Sequence, residues 1–86
     1  MIDYNRIADA FLVRLKGEIP LVNHLGLAPL QWDGQTLAMT AALAPNVNDK
    51  GTGFGGSLAT IATLCGWSIV MLYLRAKGRD DDVVIR

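Results

Sequence analysis

Apolar residues recur at helical spacing along the first part of the chain. They are Ile7, Ala8, Phe11, Leu12 and Leu15. Most of the charged residues between them fall off that face, which is the pattern of a helix with one buried side. The spacing predicts a helix over residues 3–18, with Asp3 as its N-cap and Pro20 just beyond its end.

Further along, two short apolar runs flank an Asp-Gly pair, which predicts a β-hairpin. The runs are 25–32 and 35–43, and the pair is Asp33-Gly34, a common hairpin turn. Alternate residues of the second run share one apolar face, namely Leu37, Met39, Ala41 and Leu43. Because proline cannot donate to a strand ladder, Pro29 marks an edge or a bulge in the first run.

The second half of the chain is dominated by a stretch of 24 uncharged residues, 51–74, which predicts a long helix over about 55–77. Its length would suit a membrane span. Glycines at its start, several Ser and Thr residues, and the amphipathic segments before it favour a helix wrapped by a sheet instead. The last four residues, 83–86, look like the start of a strand. The fold class predicted is therefore α+β.

A glycine-rich loop leads into this helix. Residues 48–57 read Asn-Asp-Lys-Gly-Thr-Gly-Phe-Gly-Gly-Ser, with four glycines in six positions. Backbone amides at the start of a helix have no partner within it, and the helix dipole favours negative charge there. The amides of Gly55, Gly56 and Ser57 are thus suited to an anion or a polarised carbonyl oxygen. Alternatively, the glycines simply allow the loop and the helix to pack closely.

Composition and charge exclude several classes of function. Eighty-six residues form one domain at most, and 51% of them are hydrophobic. Eight basic and eight acidic residues cancel, so nucleic acid and a membrane surface are not expected partners. The single cysteine, Cys65, fits a reducing compartment, and the N-terminus carries no signal-peptide pattern, so a cytoplasmic location is expected. Neither a metal-ligand cluster around His24 nor a nucleotide-binding fingerprint is apparent, so no metal or cofactor is expected.

The loop and the helix that follows it carry a family resemblance. The segment 44–58, read with the long apolar helix after it, resembles the YiiD C-terminal type of putative thioesterase in the hotdog-fold superfamily. That resemblance implies a curved antiparallel sheet around a long central helix, with subunits joined as a dimer or a dimer of dimers. Since a complete hotdog domain has more strands than this chain supplies, residues 1–86 are interpreted as a single, incomplete hotdog domain holding its N-terminal part.

The resemblance also implies substrates and chemistry. Acyl thioesters of coenzyme A or acyl carrier protein are the expected partners, and hydrolysis is the leading activity. Two alternatives stay open. One is decarboxylation of malonyl-acyl carrier protein at the start of fatty-acid synthesis, and the other is a non-catalytic acyl-binding or dimerisation module.

Four residues are predicted to be catalytic. Gly55 and Gly56 would supply oxyanion-binding amides. Asn48 corresponds to a substrate-facing position in related hotdog enzymes, although asparagine also stabilises turns. Asp49 is the only carboxylate of the loop and hence the only local candidate for a general base, or else a solvated group paired with Lys50.

Four more residues are predicted to contact substrate: Thr52, Phe54, Ser57 and Thr63. Many hotdog thioesterases carry a carboxylate on the central helix, and Thr63 stands at that place here. A threonine does not act as a base unaided, so hydrolysis loses its usual catalyst. Decarboxylation loses less, because the site then mainly has to stabilise an enolate.

Overall fold

The computed structural model describes residues 1–79 and residue 83. There are two α-helices, α1 (Tyr4–Glu18) and α2 (Gly55–Ala76), and a short hairpin lies between them in the sequence. Its strands are β1 (Gln31–Trp32) and β2 (Leu37–Ala38). Together with two 3₁₀ helices, these elements confirm the predicted α+β class.

Helix α1 forms where the apolar spacing placed it. The Asp3 side chain accepts a hydrogen bond from the Arg6 amide at 3.1 Å, so the predicted N-cap is confirmed. At the other end the Ile19 amide donates to the Leu15 carbonyl at 2.8 Å. Pro20 then begins a 3₁₀ helix, Pro20–His24, that turns the chain towards the hairpin.

The hairpin is confirmed, although its paired strands are shorter than the apolar runs. Trp32 lies opposite Leu37, and the turn is closed by the Asp33 carboxylate, which accepts from the amides of Gln35 and Thr36 at 2.9 and 2.8 Å. Gly34 adopts a φ of 98°, a conformation that glycine reaches without steric cost.

A bulge interrupts the hairpin where Pro29 stands. Pairing resumes at an isolated bridge between Leu27 and Ala41. Between this bridge and the Gln31–Ala38 pair, three residues on the first strand oppose two on the second. One strand therefore carries an extra residue, and the prediction of a bulge or an edge at Pro29 is confirmed.

The core lies between α1, the hairpin and the C-terminal half of α2. Its buried residues include the predicted apolar face of α1, except for the half-buried Ile7, together with Val22, Leu30, Trp32, Met71 and Leu72. Tyr4 packs edge-on against Trp32, with ring centroids 4.9 Å apart. Burial of these side chains stabilises the fold by about 25 cal/mol per Å² of apolar surface removed from water.

Helix α2 is buried unevenly. Its C-terminal half joins the core, whereas Leu58, near its start, is 58% exposed. By length and composition alone α2 is apolar enough to cross a membrane, and 17% of its most apolar stretch is buried within the structure. The predicted sheet around α2 is not seen in residues 1–79, where β1 and β2 form a two-stranded sheet beside it.

The predicted last strand, residues 83–86, lies mostly outside the described residues. Residue 83 is described, and the Val83 carbonyl accepts a hydrogen bond from Trp67 Nε1 at 2.6 Å. The chain therefore returns to the side of α2 after that helix ends. The prediction of one incomplete domain over residues 1–86 stays a prediction.

Candidate functional site

The glycine-rich loop is a closed, ordered turn. A 3₁₀ helix, Ala44–Asn46, leads into it, and an isolated bridge between Val47 and Gly53 joins its two ends. Inside the loop the Asn48 amide donates to the Thr52 carbonyl at 2.7 Å. Gly51 turns the chain with a φ of 77°. These bonds and the bridge give the loop a defined shape.

The side chain of Asn48 holds this loop together. Its Oδ1 accepts from the amides of Lys50 and Thr52 at 2.9 and 3.1 Å. Its Nδ2 donates to Thr52 Oγ1 at 2.8 Å and to the Gly53 carbonyl at 3.3 Å. The turn-stabilising alternative is therefore what the structure shows, and a direct contact of Asn48 with substrate stays a prediction.

Helix α2 begins with its backbone amides open. Phe54 is its N-cap, and the first helical bond runs from the Leu58 amide to the Phe54 carbonyl at 3.0 Å. Among residues 1–79 and 83, none accepts a hydrogen bond from the amides of Gly55, Gly56 or Ser57. Three donors at the positive end of a 22-residue helix are therefore available to an oxygen atom.

The two glycines at this helix end differ in their surroundings. A Cβ placed on Gly55 would meet nothing within 4 Å, whereas one on Gly56 would lie 2.5 Å from the Phe54 ring. The exposed Phe54 ring therefore occupies the space beside Gly56, whereas the space beside the backbone of Gly55 is open.

The other predicted site residues spread outwards from the loop. Asp49 is 85% exposed at its side chain and lies 3.7 Å from the Lys50 ammonium, as a solvated carboxylate would. Phe54 is 54% exposed. Thr63 lines a groove of about 570 Å³ on α2, and the rest of its lining is mostly apolar. Residues 48–57 thus form one loop and helix start, and Thr63 lies further along α2 in a groove that none of them lines.

Sequence reasoning missed one residue at this site, Asn46. It is 6% exposed and is one of the two buried polar residues among those described. Its side chain donates to the carbonyls of Leu25 and Ala42 at 2.7 and 2.8 Å. Asparagines at 46 and 48 look alike in the sequence, and the pattern alone gives no sign of which one is buried.

A family model described as "Putative thioesterase (yiiD_Cterm)" matches residues 8–86. The chain belongs to this family. The resemblance carried by residues 44–58 and the long helix is therefore confirmed.

Solved structures support the same assignment. The putative thioesterase from Shewanella oneidensis is 34% identical with a TM-score of 0.85, over 93% of this chain and 59% of its own. A protein of unknown function from Chlorobaculum tepidum is 33% identical with a TM-score of 0.77, over 91% of this chain and 46% of its own. The chain thus spans about half the length of these proteins, in an α+β architecture that they share.

Proposed function

We propose that this chain forms the acyl-thioester-binding part of a hotdog-type thioesterase that acts on acyl-coenzyme A or on acyl carrier protein. The observation that carries the proposal is the set of unpartnered amides at Gly55, Gly56 and Ser57, in a member of a thioesterase family. A thioester carbonyl oxygen seated there would receive hydrogen bonds and the field of the helix dipole. Both become stronger as negative charge develops on that oxygen.

In hydrolysis, water attacks the thioester carbonyl carbon and the C–S electrons leave with the thiolate. The amides stabilise the oxyanion formed in between, each by about 2.7–4 kcal/mol in a well-formed site. Asp49 is our proposed general base, and its exposed side chain is free to turn towards a bound water. Thr52, Phe54, Ser57 and Thr63 are proposed to contact the substrate, with Thr63 in the groove beside α2.

One observation favours decarboxylation as a second candidate function. The segment that forms α2, residues 55–76, contains neither aspartate nor glutamate, so Thr63 has no acidic substitute on this helix. In decarboxylation the malonyl C–C bond breaks, carbon dioxide leaves, and the electron pair moves into the thioester enolate. The same amides would stabilise the enolate oxygen, and water would then protonate the carbon. This reaction needs no protein carboxylate.

Assembly forms part of the proposal. We propose that a curved hotdog sheet covers the exposed side of α2 and that subunits pair as a dimer or a dimer of dimers in the cytoplasm. The exposed Leu58 and the open edges of the two-stranded sheet support this, because apolar surface and unpaired strands favour association. The third candidate, a non-catalytic acyl-binding module, shares this assembly.

The proposal is tested by following two products. The protein is incubated with acyl-coenzyme A and, separately, with malonyl-acyl carrier protein, while free thiol and carbon dioxide are measured. Thiol release supports hydrolysis, and carbon dioxide without thiol supports decarboxylation. Binding without either product supports the module, and the absence of binding and of both products contradicts the proposal.

A matched pair of variants at Gly55 tests the amides themselves. Gly55 is the first helical residue, where proline is well tolerated, and Phe54 already has the extended conformation that precedes proline, with a φ of −69° and a ψ of 129°. Gly55→Pro therefore deletes one N–H with little distortion, whereas Gly55→Ala keeps it in open space. We expect the proline variant to lose about 100- to 1000-fold in kcat and the alanine variant to stay close to wild type. Equal activities would exclude this amide from the reaction.

A further inference from the structure

Asn46 connects the hairpin to the start of α2. It lies at the end of the 3₁₀ helix Ala44–Asn46 and is 6% exposed. We infer that Asn46 is the positioning residue that fixes the amides of Gly55–Ser57 relative to the hairpin. This inference rests on the proposed function for its effect on turnover, but its structural part can be tested independently.

The side chain of Asn46 ties together the open end of the hairpin. Its Nδ2 donates to the Leu25 carbonyl at 2.7 Å and to the Ala42 carbonyl at 2.8 Å. Leu25 and Ala42 lie at the end of the hairpin opposite its turn, where the Ala42 amide donates to the Gly26 carbonyl at 3.0 Å. One buried amide group therefore holds both arms.

The main chain of Asn46 holds the first turn of α2. Its carbonyl accepts from the Phe54 amide at 2.7 Å. A phenylalanine side chain cannot cap a helix, so this main-chain bond, with the nearby Val47–Gly53 bridge, is what ties the residue before Gly55 to the preceding chain. Gly55 follows Phe54 directly, and a rotation at Phe54 would swing the open amides with it. The side chain of Asn46 thus binds the hairpin, and its carbonyl binds the residue directly before the open amides.

The packing around Asn46 leaves little room for adjustment. A Cβ on Gly26, which has a φ of 66°, would lie 2.9 Å from the Pro45 ring and 3.3 Å from the Ala42 Cβ. The 3₁₀ helix Ala44–Asn46 therefore packs directly on the hairpin at Gly26. Asn46 Oδ1 has no partner among the described residues, so the two Nδ2 donations are the contribution of this side chain.

Asn46→Asp is the sharpest test, because it keeps the shape of the side chain and removes both donors. Asn23→Asp is the matched control, since Asn23 Nδ2 also donates to two main-chain carbonyls, those of Lys16 and Pro20, at 2.7 and 3.4 Å. The amide signals of Gly55, Gly56 and Ser57 are followed by ¹⁵N NMR. We expect them to shift or broaden in the Asn46 variant and to stay in place in the Asn23 variant.

Turnover of acyl-coenzyme A, measured where both variants are folded by circular dichroism, supplies the second readout. We expect kcat to fall at least tenfold in Asn46→Asp, with a smaller change in KM, and both constants to stay unchanged in Asn23→Asp. If wild type turns over no thioester, hydrolysis is excluded as the function, and the amide signals still decide the role of Asn46. Unmoved signals in a folded Asn46→Asp protein would overturn the inference.

Hydrogen exchange in the wild-type protein tests the inference even if Asn46→Asp does not fold. The Phe54 amide, bonded to the Asn46 carbonyl, should exchange more slowly than the open amide of Gly55. Asn46→Ser, which introduces no charge and is too short to bond both carbonyls, should accelerate exchange at Phe54. Equal exchange at Phe54 and Gly55 in wild type would also overturn the inference.

Discussion

The two ends of α2 lie in very different surroundings. Near its C-terminus, Met71 and Leu72 are 3% and 0% exposed and pack with α1 and the hairpin. Every residue from 47 to 67 is instead half-buried or exposed, including the whole glycine loop. The packed region fixes the direction of the helix, while the open region keeps its first amides accessible. One helix thus has one end packed in the core and one end with open backbone amides.

The largest expected effect comes from removing a packed leucine from α2. Leu72→Ala should lower the free energy of unfolding by about 3–5 kcal/mol, because it leaves a cavity in a fully buried site. Leu58→Ala, on the same helix at a 58% exposed position, should change it by less than about 0.5 kcal/mol. Urea titration measures both. Similar losses would mean that the open end of α2 is packed in solution, for example against a second subunit.

The next effect concerns catalysis in the open region. Asn48→Ala removes four loop hydrogen bonds, so the turn that precedes the amides loses its shape. We expect a fall of about 100-fold or more in kcat for thiol or carbon dioxide release, comparable to the loss of one oxyanion donor. The control is Thr52→Val, which removes one of the four bonds and should cost less. Unchanged turnover in Asn48→Ala would exclude Asn48 from the site.

Gly34, in the packed region, and Gly51, in the open loop, both have a positive φ but differ in how closely other atoms surround them. Gly34, with a φ of 98°, would place a Cβ 2.6 Å from the Tyr4 ring, whereas Gly51, with a φ of 77°, has nothing within 4 Å. Gly34→Ala should therefore cost about 2–3 kcal/mol from strain and overlap, and Gly51→Ala about 1 kcal/mol from strain alone. Thermal unfolding checks the order. The reverse order would contradict the contrast between the two regions.

The smallest effect is a pH dependence at the hairpin turn. Hydrogen bonds from the backbone amides of Thr36 and Gln35 hold the pKa of Asp33 below its usual value. A lowered folded-state pKa contributes stability that is present above the unfolded pKa of about 3.9 and is lost as the pH falls through the folded value. Asp33→Asn keeps the acceptor oxygen and removes the charge.

The stability advantage of wild type over Asp33→Asn should therefore be constant near neutral pH and disappear in acid. Chemical denaturation at a series of pH values measures it. Asp33→Ala, which removes the acceptor at every pH, should be less stable than Asp33→Asn throughout. Parallel curves for wild type and Asp33→Asn would show that the charge of Asp33 does not stabilise the turn.

Local patterns predicted the elements of this fold well, because each element depends on neighbouring residues. The apolar spacing of α1, its Asp3 cap, the Asp33-Gly34 turn and the bulge at Pro29 are all confirmed. The family is confirmed as well, since it rests on a contiguous motif. The sheet around α2 stays a prediction, because pairing between strands far apart in the chain is not encoded in any local pattern.

At the candidate site, the sequence by itself determined where an open helix end would lie. Glycines at 55 and 56 and the uncharged residues after them place unpaired amides at the start of a helix, whatever surrounds it. Only the tertiary structure decided which asparagine does what. The Asn48 side chain makes its hydrogen bonds within its own loop. The Asn46 side chain is buried and donates to the carbonyl of Leu25, 21 residues away in the sequence. That distinction depends on how the hairpin folds back onto the loop, and no local pattern contains it.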